Sequence, residues 1–313
     1  MPKKVIVTGV SGMDGSLMVD YLINHSDHKI YGVVRRSAKP NYSNLSKSIN
    51  NPRFKLVTAD LSDSQSIDNI IREIEPDYFI NFAAQSFVGS SWQIPEQTFD
   101  VTAMGVLRCL EAIRKHAPLC RIYSAGSSEE YGDVVTVPQN ESHPLRPQSP
   151  YGAAKAAARH LIRVYRESYG LYAIQGTLFN HEGVRRGEEF VTRKITKAVA
   201  RIKQAINENA SFEPLELGNL ESFRDWSDAE DFIEGVWMML NQDIFNRELR
   251  SKIEAKKKNN PELTEKELSC FLSKHIKEYV LSSCETHTVR EFVEQAFDIA
   301  DIMQLIREVG AEY

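Results

Sequence analysis

Near its start the sequence carries a short β-branched run, Lys4-Val5-Ile6-Val7-Thr8. The run breaks into Gly9-Val10-Ser11-Gly12-Met13-Asp14-Gly15, then into a stretch with Leu17, Met18, Tyr21 and Leu22 at helical spacing. This strand–glycine loop–helix succession constrains the fold more than any other feature. The tight turn needs positive φ, and a ligand that approaches the backbone closely needs positions without Cβ; glycine meets both demands. The following helix offers unpaired N–H groups and the positive end of its dipole, which suit phosphate oxygens. Gly9, Gly12 and Gly15, with Met13 and Asp14 between them, are therefore candidate pyrophosphate-binding positions.

The alternation continues along the chain. Residues 29–34, 54–57, 78–82, 121–124 and 171–178 read as strands. Residues 14–24, 63–75, 98–116, 151–169, 190–206 and 228–241 read as helices, with a further short strand expected near Leu215. Strands alternating with helices predict an α/β fold with a doubly wound parallel sheet covered on both faces, and a smaller, mixed C-terminal region. Residues 1–180 are expected to form mainly the cofactor domain and 181–313 mainly the substrate-binding region, with the chain crossing between them. Residues 246–277 interrupt the rhythm with a charged insertion that includes Lys256-Lys257-Lys258. It reads as a helical hairpin or a mobile loop. Acids interleaved with the lysines favour a solvated surface over a basic patch for a partner or a lipid.

Composition narrows the function. The 313 residues are 42% hydrophobic and 26% charged, as in a folded protein with a sizeable core. A net charge of −5 argues against a general nucleic-acid binder. No apolar run reaches the roughly 18 residues of a membrane span, so a cytoplasmic protein without a membrane partner is expected. Cys109, Cys120, Cys270 and Cys284 have no metal-ligand spacing, so neither a metal nor a disulfide framework is expected.

The end of the second strand carries Arg35-Arg36, where an NAD-binding fold usually places an acid about 20 residues past the glycines. Two guanidiniums suit a 2′-phosphate, which predicts NADP. Asp60-Leu61 follows the third strand, where an adenine contact is expected. Tyr151 and Lys155 stand at i and i+4 on one helix face. A neighbouring ammonium lowers a tyrosine's pKa from about 10 toward a range useful for a base. After the fifth strand the chain reads Ser124-Ala125-Gly126-Ser127-Ser128-Glu129-Glu130. The Ser127 hydroxyl can orient a substrate oxygen. The Glu129 carboxylate two residues later adds a general base and acid for elimination beside redox chemistry. For Glu130 the alternative of a solvated acid on a surface loop stays open.

Together these residues resemble the extended short-chain dehydrogenase/reductase superfamily, which has a Rossmann-type fold, and more narrowly the GDP-mannose 4,6-dehydratase family. The stretches that carry the resemblance are TGVSGMDGS, VVRRS, NFAAQSFVGSSW, SPYGAAK, LFNHEGVRRGEEFVTRKI, LGNLESFRDWSDAEDFIEGVWMML and HTVREFVEQAF. The resemblance implies a lyase that oxidises a hexose at C4, eliminates water across C5 and C6, and returns the hydride to C6. Tyr151 would be the base with Lys155 supporting it, and Glu129 would take the C5 proton; Ser127 stands where the family usually has Thr. It also implies cofactor contacts at Ala83, Gln85, Ser86, His181 and Arg186, and nucleotide-sugar contacts at Asn180, Lys194 and Arg224. A homodimer or homotetramer is implied, and a further substrate-domain segment that a chain ending at Tyr313 would lack. The alternatives on the same fold are an NADPH-dependent reductase of a GDP-4-keto-6-deoxy-hexose and a non-catalytic NADP- and nucleotide-sugar-binding protein.

Overall fold

Seven parallel strands organise the protein in the computed structural model, which describes residues 2–305. The first part runs β1 (Lys4–Thr8), α1 (Met13–His25), β2 (Lys29–Val34), β3 (Phe54–Thr58), α2 (Ser64–Ile74), β4 (Tyr78–Asn81), the short α3 (Val88–Ser91) and α4 (Pro95–Phe99), α5 (Gly105–His116), β5 (Arg121–Ala125), α6 (Pro150–Tyr169) and β6 (Ala173–Leu178). It continues with β7 (Asn180–Glu182), α7 (Val191–Asn207), β8 (Phe223–Arg224), β9 (Trp226–Asp228), α8 (Ala229–Leu240), α9 (Gln242–Phe245), α10 (Arg247–Asn259), α11 (Glu265–Ser273), β10 (Val280–Leu281), β11 (His287–Thr288) and α12 (Val289–Ile299).

The sheet order is β10-β6-β5-β4-β1-β2-β3. The order reverses between β1 and β4, which is where ligands enter open α/β sheets, outside the carboxyl ends of the strands. Successive strand side chains point to opposite faces, and both faces are buried. Val5 and Val7, Tyr78 and Ile80, and Tyr123 and Ala125 join one core with residues of α1 and α8. Ile6, Phe79 and Ile122 join the other, with residues of α2, α5 and α6. This explains why the strands read as continuous apolar runs.

The chain divides into two compact units. The first takes residues up to Phe179 together with Ala229–Leu281; the second takes Asn180–Asp228 and the chain from Ser282 onward. The second unit has its own core of Ile195, Val199, Ile202, Val289, Val293, Phe297 and Ile302, with β8 paired to β11 and β7 to β9.

Several elements differ from the sequence expectations. The helix expected over 98–116 starts earlier, as α4, and then passes through a π-helical turn, Asp100–Met104, before α5. A π turn inserts one residue into the helical register. Arg108 braces it, donating to the Asp100 carboxylate at 2.7 Å. No strand forms near Leu215; with Leu217 and Leu220 it packs on the second core without ladder pairing. Ala229–Leu281, expected mainly with the substrate-binding region, belongs to the sheet unit.

The charged stretch 246–277 is a pair of capped helices. Asn246 caps α10 by accepting from the Leu249 amide, and Thr264 and Glu267 form a capping box on α11. The lysines at 256–258 lie in the last turn of α10, where cations complement the helix dipole. The pair buries Leu249, Ile253 and Leu272, and the segment just after it Ile276, in the core that also holds β1. Leu272→Ala or Ile253→Ala should therefore each cost about 2–5 kcal/mol in denaturant unfolding. A loss under about 0.5 kcal/mol, typical of a surface change, would mean that the pair is a loosely held appendage.

Candidate active site

The glycine loop is built as a side-chain-free cradle. Gly9 has φ +66°, and a Cβ there would stand 2.8 Å from the Ala83 amide nitrogen. A Cβ at Gly15 would collide with the Gly9 carbonyl oxygen. The Gly12 amide donates to that carbonyl at 2.9 Å and closes the turn. Met13 is buried, Asp14 is half-buried, and Gly12 is exposed at the start of α1. The first N–H groups of a helix have no intrahelical partner, so this edge can accept a diphosphate. The loop after β4 closes against it, because the Ala83 amide donates to Thr8 Oγ1 at 3.2 Å and Thr8 donates to Asn81 Oδ1 at 2.5 Å.

Beyond β2, Arg35 and Arg36 are both exposed. Burial pushes the Asp60 carboxyl up, but hydrogen bonds from the Ser62 amide and hydroxyl, with the nearby Arg35 and Arg108 charges, hold it below the usual carboxylate range. The Leu61 side chain lies in the core, where it fills the space left by Gly105. Gln85 is tied to α4 through Thr98, to the π turn through Thr102 and to its own loop through the Phe87 carbonyl, and Ser86 is exposed.

Tyr151 and Lys155 sit one turn apart at the start of α6. Ser149 caps that helix by accepting from the Gly152 amide at 3.0 Å, and Pro150 occupies its first position. Lys155 Nζ donates to the Ala125 carbonyl, at the carboxyl end of β5, at 2.5 Å, and lies 5.7 Å from the Tyr151 ring centroid. Burial pulls the Lys155 ammonium down from 10.5 to about 8, against the opposing pull of the Glu130 and Asp14 carboxylates. The loop after β5 lies against the same turn, because a Cβ on Gly152 would collide with the Glu129 carbonyl oxygen. The structure thus brings Ser127, Glu129, Tyr151 and Lys155 together at one sheet edge. Ser127 and Glu129 are half-buried, and Tyr151 and Lys155 are buried.

The structure closes the alternative left open for Glu130. It is fully buried rather than solvated. Its carboxylate accepts from the Ser127 amide at 2.8 Å, Gln175 Nε2 at 2.8 Å and Arg159 Nε at 2.5 Å. Arg159 also donates to Thr177 and, at 2.8 Å, to Glu278, which pairs in turn with Arg166 at 2.9 Å. The available signal was spacing: Tyr151, Lys155 and Arg159 stand at i, i+4 and i+8 on one face of α6.

Asn180, His181, Arg186, Lys194 and Arg224 belong to the second unit. Asn180 opens β7 opposite Trp226, and His181 is buried. The Arg186 guanidinium pairs with Glu182 at 3.1 Å and lies 3.6 Å from the Phe190 ring centroid. Lys194 Nζ donates to the Glu216 carbonyl, while Arg224, on β8, is exposed and donates to the Phe223 carbonyl. Among the described residues, no group of three or more His, Cys, Asp or Glu side chains is arranged to hold a metal. No helix there is long and apolar enough to cross a membrane.

A family model described as GDP-mannose 4,6 dehydratase matches residues 6–267. The chain belongs to this family. It is 39% identical over 307 residues to the GDP-mannose 4,6 dehydratase of Drosophila melanogaster, covering 96% of this chain and 68% of that protein. It is 44% identical over 248 residues to that of Yersinia enterocolitica, covering 77% and 65%, and 37% identical over 305 residues to that of Homo sapiens, covering 95% and 72%. Solved structures at lower identity share the fold. One is a dTDP-glucose 4,6-dehydratase from Bacillus anthracis in complex with NAD, at TM-score 0.73 and 21% identity, covering 96% of this chain and 81% of that one. Another is a Thermus thermophilus UDP-glucose 4-epimerase with NAD, at TM-score 0.72 and 23% identity, covering 95% and 83%. Within the dehydratase family's fold, the Lys155 environment makes a pH signature. An ammonium held at about 8 keeps its charge below that pH and loses it as pH rises through it. With Lys155 in the supporting role that the resemblance implies, kcat/KM, which reports groups of the free enzyme, should fall along a basic limb with a midpoint near pH 8. A limb near the ordinary lysine value of about 10.4 would contradict the buried setting.

Proposed function

We propose that this protein removes water from GDP-mannose to give GDP-4-keto-6-deoxy-mannose, with a resident NADP that is unchanged over the whole reaction. The observation that carries the reading is the set of Ser127, Glu129, Tyr151 and Lys155 on the loop after β5 and the first turns of α6. A plain ketoreductase has no use for the added carboxylate. Membership of the dehydratase family and the relatives' names support the nucleotide-sugar substrate. The NAD named in the solved neighbours supports a nicotinamide dinucleotide.

The residues present fit such a cofactor. The cradle of Gly9, Gly12 and Gly15 leaves backbone and the start of α1, with Met13 and Asp14, for a diphosphate. Arg35 and Arg36 are exposed where a 2′-phosphate would lie, which supports NADP over NAD. In this reading Asp60, Leu61, Ala83, Gln85, Ser86, His181 and Arg186 complete the cofactor contacts. When bound, the cofactor supplies one chemistry, acceptance and return of a hydride.

The protein's own groups do the rest. Ser127 holds the sugar's 4-oxygen while the Tyr151 phenolate takes its proton, and the Lys155 ammonium stabilises that phenolate. A 4-keto group acidifies the neighbouring C5–H. Glu129 removes that proton and passes it to the hydroxyl leaving C6 as water, so one carboxyl serves as base and then acid; the proton held by Tyr151 is then available for C5 when the hydride returns to C6. Asn180, Lys194 and Arg224 of the second unit are assigned to the nucleotide-sugar, the two cations having the charge that suits its diphosphate.

Incubation with GDP-mannose and no added reductant should accumulate the 4-keto product. Glu129→Gln should still reduce the bound cofactor transiently but lose water elimination by about 10²–10⁴-fold. Stoichiometric consumption of NADPH on a 4-keto-6-deoxy sugar nucleotide, with no turnover of GDP-mannose, would instead make the protein a reductase. Replacing Arg35 and Arg36 by Ala should weaken NADP binding by about 10–100-fold per lost charge-assisted contact, and leave NAD binding nearly unchanged in a fluorescence titration.

A further inference from the structure

Glu129 and Glu130 are adjacent, yet their settings differ. Glu129 is half-buried on the loop, whereas Glu130 is fully buried and turned inward. A carboxylate removed from water persists only where hydrogen bonds and a counter-charge hold it. Here three donors on three elements converge on it: the Ser127 amide, Gln175 of β6 and Arg159 of α6. The Gln175 amide group also donates to the Lys155 carbonyl at 3.3 Å, so the same cluster grips the helical turn that carries Lys155. The Ser127 hydroxyl in turn accepts from the Glu129 amide at 3.2 Å, and the Glu130 amide donates to the Ser127 carbonyl at 3.0 Å, which closes a 3₁₀ turn over Ser127–Glu130. Beyond Arg159 the contacts run to Glu278, the residue that follows the α10–α11 pair by a few positions, and to Arg166.

We propose that Glu130 is a positioning residue: clamped by Ser127, Gln175 and Arg159, its carboxylate fixes the Ser127–Glu129 turn against the Lys155 turn of α6 and thereby sets where Glu129 meets the substrate. This rests on the role given to Glu129 under Proposed function. The Glu130 charge also faces the Lys155 ammonium, as does Asp14 of α1; Tyr151 lies against the ammonium from its own helix. Loss of Glu130 therefore touches both halves of the site, the loop by geometry and the lysine by charge.

Glu130→Leu alone strands a buried guanidinium and threatens folding. The decisive variant is therefore the pair Glu130→Leu with Arg159→Leu, which leaves Glu278 paired to Arg166. Misplacement of a reacting group by about 1 Å costs about 10²-fold. The double variant loses partners for the Ser127 amide, Gln175 and Thr177, so it should unfold at a lower denaturant concentration than the parent yet stay folded under assay conditions and keep KM for GDP-mannose within about threefold, while kcat falls by about 10–100-fold. Glu130→Gln keeps an acceptor for the Ser127 amide but drops the charge beside Lys155. It should move the basic limb of kcat/KM below its parental position. A folded double variant with parental kcat would overturn the proposal, as would a basic limb unmoved in Glu130→Gln. Glu129→Gln, measured alongside, separates the two levels. If it dehydrates GDP-mannose at the parental rate, the catalytic reading and the positioning proposal both fall. If it is inactive while the double variant is fully active, only the positioning proposal falls.

Discussion

Burial of the sheet on both faces is the constraint on which the first unit depends. Ile6, Phe79 and Ile122 point into one core, while their strand neighbours Val5, Tyr78 and Tyr123 point into the other. With both faces covered by helices, the strand ends are what remain for chemistry. The reversal of strand order between β1 and β4 makes a crevice at the carboxyl ends, and the close approach of Gly9 to Ala83 marks it. Every candidate residue of this unit follows a strand or opens a helix at that edge.

Placing charge at such an edge requires internal support. The cluster of Glu130, Arg159, Gln175 and Glu278 supplies it with matched donors and acceptors in a setting of low polarity, where an unpaired member would be costly. Lys155 shows the other side of the same physics. Burial weakens its hold on a proton, and the neighbouring carboxylates restore part of it. The site thus depends on balanced burial rather than on exposure, and the groups that balance it lie on α1, on β6, on α6 and just before β10 as well as on the loop itself.

The α10–α11 pair shows how misleading charge content is when read without burial. Its sequence is lysine-rich and looks detached, yet Leu249 and Ile253 of α10, Leu272 of α11 and Ile276 just after it anchor it to the main core. The charged residues occupy the rest of the helix surfaces, where solvation costs nothing.

The sequence by itself determined the alternation of strands and helices, the glycine loop, the two arginines after β2 and the set Ser127, Glu129, Tyr151 and Lys155. Each of these rests on local rules: side-chain period, helix spacing, and the need for glycine where backbone must turn or be approached. Tertiary structure alone decided what depends on contacts distant in sequence. It gave β10 to the sheet edge, assigned Ala229–Leu281 to the first unit, removed the strand near Leu215, and inserted a π turn before α5. It also turned Glu130, for which the sequence leaves a surface position open, into the core beside the half-buried Glu129. Glu130 is buried because Arg159, 29 residues on, and Gln175, 45 residues on, meet it there. No local pattern encodes that meeting; only the packing of β5, β6 and α6 brings the three together.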